Sequence, residues 1–550
     1  MHRRKLWLIA GAVLAALALA ATGSARVNGA DNASAAKAGG TLIFGAEQGG
    51  GPDWCLNLVL DIDCNAFWNV VFQTPVIRGA FLFTPSFKYK PDLISRYTLK
   101  HNPQRVTYYI RNNAKWSDGV QVTGKDFRFT WATAMNPKYK DHIDPLGWQD
   151  IRSVKGNGKV VTVTFKRNFA AWQQLFGYVL PQHALAGENM LTVWNDCLCN
   201  PKKGNAPIAD GPFLLTKFDR GAGITLERNN RGWYGKKAKL NSIVFRFITN
   251  TNSEIQAIRG GEVDAIYPQP QLALAELKGQ AGLRIQTHLS LSWEHIEIQQ
   301  GAKGNPLAKQ KWLRQALITA VNRQAAAKAL YGTLNSKVGV LNSLVRLTNE
   351  PTYNAKNFSG WNYNPTKVAS LMRAHNCTKG GDGIYTCNGT RVSFLLESTR
   401  GNALRELAFT IFQDQAAKAG IELKNGFVPA GTLFGSHLPE HNFDLAMFTQ
   451  LVTVDPHYVV SVFSCGLPGN YVEYCNRTAT QLLARSDREL NPKKRLALIA
   501  RVGTILGSDV PMIPLFQRPT YFVFKSNIAG MVDNASSQGP SWNAESWVKK

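Results

Sequence analysis

Residues 115–131 read KWSDGVQVTGKDFRFTW, and almost every position in the run has a local task. Ser117-Asp118-Gly119 has turn composition, and Val120-Gln121-Val122 alternates as a short strand does. Thr123, followed three residues later by Asp126, suits a helix N-cap with an acidic first turn. Phe127, Trp131 and Met135 then recur every four residues, which predicts a helix whose apolar face packs on a sheet. The run contains no nucleophile, acid–base pair or phosphate loop, so it reads as scaffold.

Outward from this run, strands and helices alternate. GPFLLTKFDRGAGITLERNNRGWYG (211–235) is a hairpin around Asp219-Arg220-Gly221. Helical patterns follow over 254–260, 311–330, 365–374, 403–420 and 478–507, with strands near 243–248, 295–299, 392–397 and 444–448. At 550 residues and 44% hydrophobic content the chain exceeds one compact core, so α/β lobes in two large blocks are expected. No internal repeat of 20 to 50 residues is visible.

The N-terminus differs. His2, Arg3, Arg4 and Lys5 precede the apolar run Leu6 to Ala21 and a small-residue stretch ending Gly23-Ser24-Ala25. That is a signal-peptide layout (1–25), and its apolar run is shorter than the roughly 20 residues that span hydrocarbon. A linker over 26–38 leads to the fold, which starts near Gly39. The first cysteine is Cys55, so no lipid anchor is expected at the cleavage point, and an exported, extracytoplasmic protein is. Retention of the segment as an uncleaved anchor stays open.

The net charge is +26. The basic residues are scattered singly (Lys115, Arg128, Lys217, Arg246, Arg373) rather than gathered into a stripe. That argues against nucleic acid and for peripheral adhesion to an acidic cell envelope. Six of the eight cysteines fall into local pairs, Cys55/Cys64, Cys377/Cys387 and Cys465/Cys475, which an exported chain can oxidise. A bridge between Cys197 and Cys199 would span one residue, so these two are expected to pair elsewhere or to be reactive. No histidine spacing completes a metal set around any pair, and neither metal nor cofactor is expected. His437-Leu438-Pro439-Glu440-His441 matches an H-x-x-E-H zinc-protease string, but Pro439 breaks the helix that string requires. No G-x-S-x-G elbow supports a serine hydrolase.

Taken together, KWSDGVQVTGKDFRFTW, ADGPFLLTKFDRGAGITLERNNRGWYG (209–235), EVDAIYPQP (262–270), SWEHIEIQQGAKGNPL (292–307), KWLRQALITAVNR (311–323) and DVPMIPLFQR (509–518) resemble one family. It is that of the extracytoplasmic solute-binding proteins of ABC importers, family 5, the peptide/nickel group. The resemblance covers about residues 39–532, in the family's order. It implies an α/β, two-lobed periplasmic-binding-protein-like fold (class II, large cluster) with an extra subdomain in lobe I and two hinge crossings. Lobe I would span 39–262, with the subdomain at about 66–205. Lobe II would span 263–509, and 510–550 would return to lobe I. The first crossing would lie near Glu262-Val263-Asp264 and the second near Val510 to Phe516.

The function implied is non-enzymatic. A monomer would capture an oligopeptide or peptide-like solute between its lobes and deliver it to a permease with cytoplasmic ATPases. The rival is an exported hydrolase acting on peptides in the same cleft. The resemblance places Glu47, Gln48, Trp54, Trp293, Glu294, Arg400 and the loop Phe448 to His457, with Phe448, Gln450 and Asp455, along the cleft. Trp54 can instead cover a disulfide, Trp293 can cap the hinge, and Arg400 can be a solvated loop charge. Peptide binders of this family commonly hold the ligand α-amine with an aspartate three residues before an Asp-Pro pair. Here that position is Val452, so the resemblance implies an uncharged ligand end or an amine met by Glu47, Glu294 or Asp455.

Overall fold

A computed structural model describes residues 39–48, 55–59, 71–140, 142–143, 147–350, 352–453 and 455–550. The expected signal peptide and most of the linker lie outside the described residues, as do Trp54 and Cys64.

The chain enters as β1 (Thr41–Ala46), an apolar run shielded on both faces, as a central parallel strand must be. A separate antiparallel sheet follows, made of β2 (Ile94–His101), β3 (Gln104–Ile110), β4 (Ile151–Lys155) and β5 (Val160–Phe165) in the order β2-β3-β5-β4, with α1 (Gly124–Ala134) beside it. In α1 the capping box is reciprocal: the Lys125 N–H donates to the Thr123 hydroxyl, and the Thr123 N–H donates to Asp126. The buried face carries Asp126, Phe127, Thr130 and Thr133, whereas Trp131 is half-buried and Met135 exposed. The face is thus turned from the expected Phe127/Trp131/Met135 stripe. The reason is polar: Asp126 accepts the Gln182 N–H at 2.9 Å and Thr130 accepts the Leu180 N–H at 2.8 Å, which ties the 180–182 loop to the helix.

The hairpin forms as β6 (Phe213–Asp219) and β7 (Gly223–Arg228), followed by β8 (Ser242–Phe247), α2 (Thr251–Arg259), β9 (Ala265–Ile266) and β10 (Leu283–Gln286). Gly223 has φ +151°, and a Cβ there would meet the Phe245 carbonyl oxygen at 2.0 Å, so only glycine lets β7 close on β8.

The second lobe is built on β11 (Leu289–Ile298), β12 (Ser393–Glu397), α3 (Ala403–Lys418), β13 (Glu422–Asn425) and β14 (Leu445–Leu451), then α4 (Arg477–Arg488), α5 (Pro492–Asp509) and β15 (Met512–Pro519). Its sheet runs β13-β12-β14-β11-β15. The chain closes with β16 (Phe522–Lys525), which rejoins the first sheet in the order β6-β7-β8-β1-β9-β16-β10. In that first core the Phe44 ring lies 5.2 Å from Phe245 and 6.1 Å from Phe522.

Two spans read as single helices are each broken. Residues 311–330 divide into Lys311–Thr319 and Arg323–Tyr331, because the Asn322 side chain caps the second at the Ala325 N–H. Residues 478–507 fall within α4 and α5, separated where Asn491 caps α5 and Pro492 occupies its first turn.

The strand memberships place the crossings further along the chain than expected. The chain leaves the first sheet after Gln286 and enters the second at Leu289; it returns between Pro519 and Phe522. The short β9 and β10 belong to the first sheet because they pair with β16, a partner more than two hundred residues away. The two crossings bond to each other: the Thr520 N–H donates to the His288 carbonyl at 2.8 Å, and the Thr287 hydroxyl donates to the Thr520 carbonyl at 2.7 Å.

Candidate functional site

At this hand-over lies a cavity of about 310 Å³. Gln48 and Tyr267-Pro268-Gln269-Pro270 line it from the first lobe. Ser290-Leu291-Ser292, Arg405, Phe434, Thr449, Leu451, Val452 and Arg518 line it from the second. The β11–β15 ladder is irregular between Leu289 and Trp293, which frees Ser290 and Ser292 to face the space. The Ser290 hydroxyl donates to the Arg518 carbonyl at 2.9 Å, fixing the strand that carries Arg518.

Behind the wall, Glu294 is clasped. Arg405 approaches its two oxygens at 3.3 and 3.4 Å, Arg518 stands 3.7 Å away, and the Thr449 hydroxyl donates to it. Burial alone pushes its carboxyl up, but the two guanidiniums and the hydroxyl outweigh burial and hold it below the ordinary carboxylate value. Arg405 is the third residue of α3, where the Asn402 cap receives its N–H.

Glu47 closes the end of β1. It accepts the Thr251 hydroxyl and the Gln269 N–H, each at 2.5 Å, and burial raises its pKa. Glu254 lies within its field and is wholly buried, and burial followed by the Glu47 charge pushes its carboxyl well above the ordinary range.

Residues 169–174 touch the second lobe. The Phe169 and His457 rings meet edge-on at 4.9 Å, the Ala170 N–H donates to the Asp487 carbonyl at 2.7 Å, and Gln174 donates to the Thr453 hydroxyl at 2.7 Å.

Of the sequence-read residues, Gln48 lines the cavity, while Glu47 and Glu294 stand behind it. Trp293 is core, 2% exposed and packed 4.8 Å from His295, because alternation along β11 turns it away from the Ser292 and Glu294 face. Phe448 is also buried, its ring 4.5 Å from His295; Phe434, 5.5 Å from Phe448, reaches the cavity in its place. Gln450 is half-buried and donates to the Leu451 carbonyl. Arg400 is exposed and donates to the Phe427 carbonyl at 3.0 Å, so Arg405, five positions on, is the cavity arginine from this segment. Asp455 is paired with Arg495 at 2.5 and 2.6 Å.

The sequence reading had Thr449 within the Phe448 to His457 loop it placed along the cleft, and it missed Arg405, Arg518, Phe434 and Tyr267. Two of them stood in quoted runs, Tyr267 in EVDAIYPQP and Arg518 at the end of DVPMIPLFQR. Cys377–Cys387 and Cys465–Cys475 are bonded as expected. Cys197 and Cys199 are bonded to each other, against expectation; the backbone bends between them, bringing the Cα atoms to 5.3 Å, within disulfide reach, where an extended chain would hold them about 6.6–7 Å apart. In the H-x-x-E-H string, His437 bonds Glu397 at 2.6 Å and His441 the Tyr471 carbonyl at 3.0 Å. Among the described residues no group of three or more His, Cys, Asp or Glu side chains is placed to hold a metal ion.

Comparison with known proteins agrees with this architecture. The oligopeptide-binding protein AppA of Bacillus subtilis is 26% identical over 560 residues, covering 96% of each chain. Among solved structures, a periplasmic EDTA-binding protein, EppA, superposes with a TM-score of 0.83 at 23% identity, covering 95% of this chain and 99% of that one. AppA of Bacillus subtilis in complex with a nonapeptide superposes with a TM-score of 0.79 at 22% identity, covering 94% and 100%. The family model described as bacterial extracellular solute-binding proteins, family 5 Middle, matches residues 88–469, most of the chain. The chain therefore belongs to the bacterial extracellular solute-binding proteins of family 5.

Proposed function

We propose that this protein is the extracytoplasmic solute-binding component of an ABC importer, which takes a short peptide or peptide-like solute into the cleft and delivers it to a permease with cytoplasmic ATPases. The observation that carries this reading is the position of the cavity. Both lobes line it, and it sits at the two crossings, so a solute touching both walls favours the closed arrangement by its differential affinity. The relatives named for oligopeptide binding support the solute class. The protein acts as a monomer outside the cytoplasmic membrane, and its +26 charge suits loose adhesion to an acidic envelope. In this reading it is a binder and not an enzyme, and Gln48, Arg405, Thr449 and Arg518 contact the ligand, with Glu47 and Glu294 supporting them.

Purified protein incubated with short peptides tests this. Unchanged peptides and a higher melting temperature are expected; at a hundredfold excess over Kd the stabilisation is about 2.7 kcal/mol. Multiple-turnover cleavage of the peptides would place the protein with the hydrolases instead.

A further inference from the structure

Among the described residues the cavity wall presents cations and no acid. Arg405 and Arg518 both line it. Among the described residues no carboxylate lines the space, and three that stand near it are engaged: Glu294 by the two arginines and Thr449, Glu47 by Thr251 and the Gln269 N–H, and Asp455 by Arg495. Asp533, beside the cavity-lining Thr520, is fully buried and does not line the space; His288 and Thr520 bond its Oδ2, and its buried Oδ1 has no partner among the described residues. A ligand ammonium entering here would lose its water against guanidinium groups with no carboxylate to receive it, which is unfavourable.

The two arginines are not equivalent. Arg405 directs its donors to Glu294, Thr399 and Thr449. Arg518 makes a 2.8 Å bond to Thr449, reaches the Tyr331 hydroxyl and stands beyond hydrogen-bond length from Glu294. Its buried Nε has no partner among the described residues. A guanidinium with donors left over at a cavity wall suits an incoming carboxylate, which it can meet with two parallel bonds. Around it, Phe434 and Leu451 are 45% and 54% exposed, and with Tyr267 and Val452 they form an apolar wall. The volume, about 310 Å³, is at the small end of ligand pockets, which run from about 300 to 1,000 Å³.

We infer that the solute taken up here is short and carries a carboxylate and no ammonium, with Arg518 receiving the carboxylate and Phe434, Leu451 and Tyr267 receiving an apolar group. This rests on the binding reading above and narrows it. An apolar dipeptide acylated at its N-terminus has this chemistry.

Calorimetry on the mature protein with three probes tests it: N-acetyl-Leu-Phe, the same peptide with a free amine, and N-acetyl-Leu-Phe-amide. The acetylated acid should bind tightest, the amide about a hundredfold more weakly and the free amine about tenfold more weakly. Arg518→Gln should bring acid and amide level, and Arg518→Lys should restore part of the preference; melting of each ligand-free variant reports its folding. Tightest binding by the free amine, or an acid preference unchanged in Arg518→Gln, overturns the inference. If none of the probes binds but protein purified without refolding retains a solute, mass spectrometry of that solute decides. A primary amine overturns the inference and leaves solute binding intact, and an amine-free carboxylic acid supports it. No retained solute and no probe binding overturn both readings.

Discussion

Asp455 tests the division between structural and ligand-facing acids. It stands in the loop after β14, where a ligand amine would be met if any acid of this segment met one. The structure gives it to Arg495, whose Nη1 and Nη2 donate to its two oxygens at 2.5 and 2.6 Å, with side-chain exposures of 9% and 11% for the arginine and the aspartate. Asp455→Asn leaves an acceptor for the His457 N–H, now 2.9 Å from Oδ1, but removes the charge facing a buried guanidinium. Breaking one partner of a buried pair costs about 3–5 kcal/mol. The low end, about 3 kcal/mol, applies here because the amide can still accept one bond from Arg495. Arg495→Met combined with Asp455→Asn removes both charges and should recover at least half of the loss. Urea denaturation followed by tryptophan fluorescence measures both, and calorimetry on the same variants measures ligand affinity. A stable Asp455→Asn variant whose affinity for a free-amine peptide collapses would refute the reasoning.

His288 and Asp533 make the hinge pH-dependent. Their hydrogen bond, at 2.9 Å, is the main cause that raises the imidazole pKa above its ordinary 6.5, with burial opposing. The stabilisation is therefore complete below pH 6.5 and lost as pH rises through the raised folded value. Melting curves of wild type and His288→Gln should differ most in acid and converge in base; a gap that widens with rising pH contradicts the assignment. Glu254 has both oxygens unpartnered among the described residues, and burial followed by the Glu47 charge pushes its carboxyl well above the ordinary 4.5. Wild type should lose stability relative to Glu254→Gln as pH rises above 4.5 toward the raised folded value, so the variant should melt higher at neutral pH; an unchanged difference across that window would count against a raised Glu254 pKa. Replacing Cys377 and Cys387 by serine opens a loop of sequence separation 10 and should cost about 2.7 kcal/mol in chemical denaturation, and no loss would mean the bridge does not form in the exported protein.

The local grammar of the chain carried the fold. The Thr123 cap, the Asp219-Arg220-Gly221 turn and the alternating runs that became β6, β7 and β12 are signals confined to a few residues, and they read true. The crossings did not, because β9 has two residues and β10 pairs with a strand from the far end of the chain, so no local pattern marks either as part of the first sheet. The site failed for a related reason. Alternation along β11 decides whether Trp293 or Glu294 faces the cavity, and that depends on a ladder irregularity set by β15. Arg405 was displaced from the reading by Arg400 although the helix start at Ala403 was read correctly, because the partners that hold Arg405 at the cavity, Glu294 and Thr449, lie 111 and 44 residues away in sequence.

The central claim is capture of a solute between two lobes that close on it. Small-angle X-ray scattering on the purified protein, stripped of solute and then saturated with a ligand shown by calorimetry to bind, tests it directly. The saturated protein should have the smaller radius of gyration. Equal radii at full saturation would contradict the account.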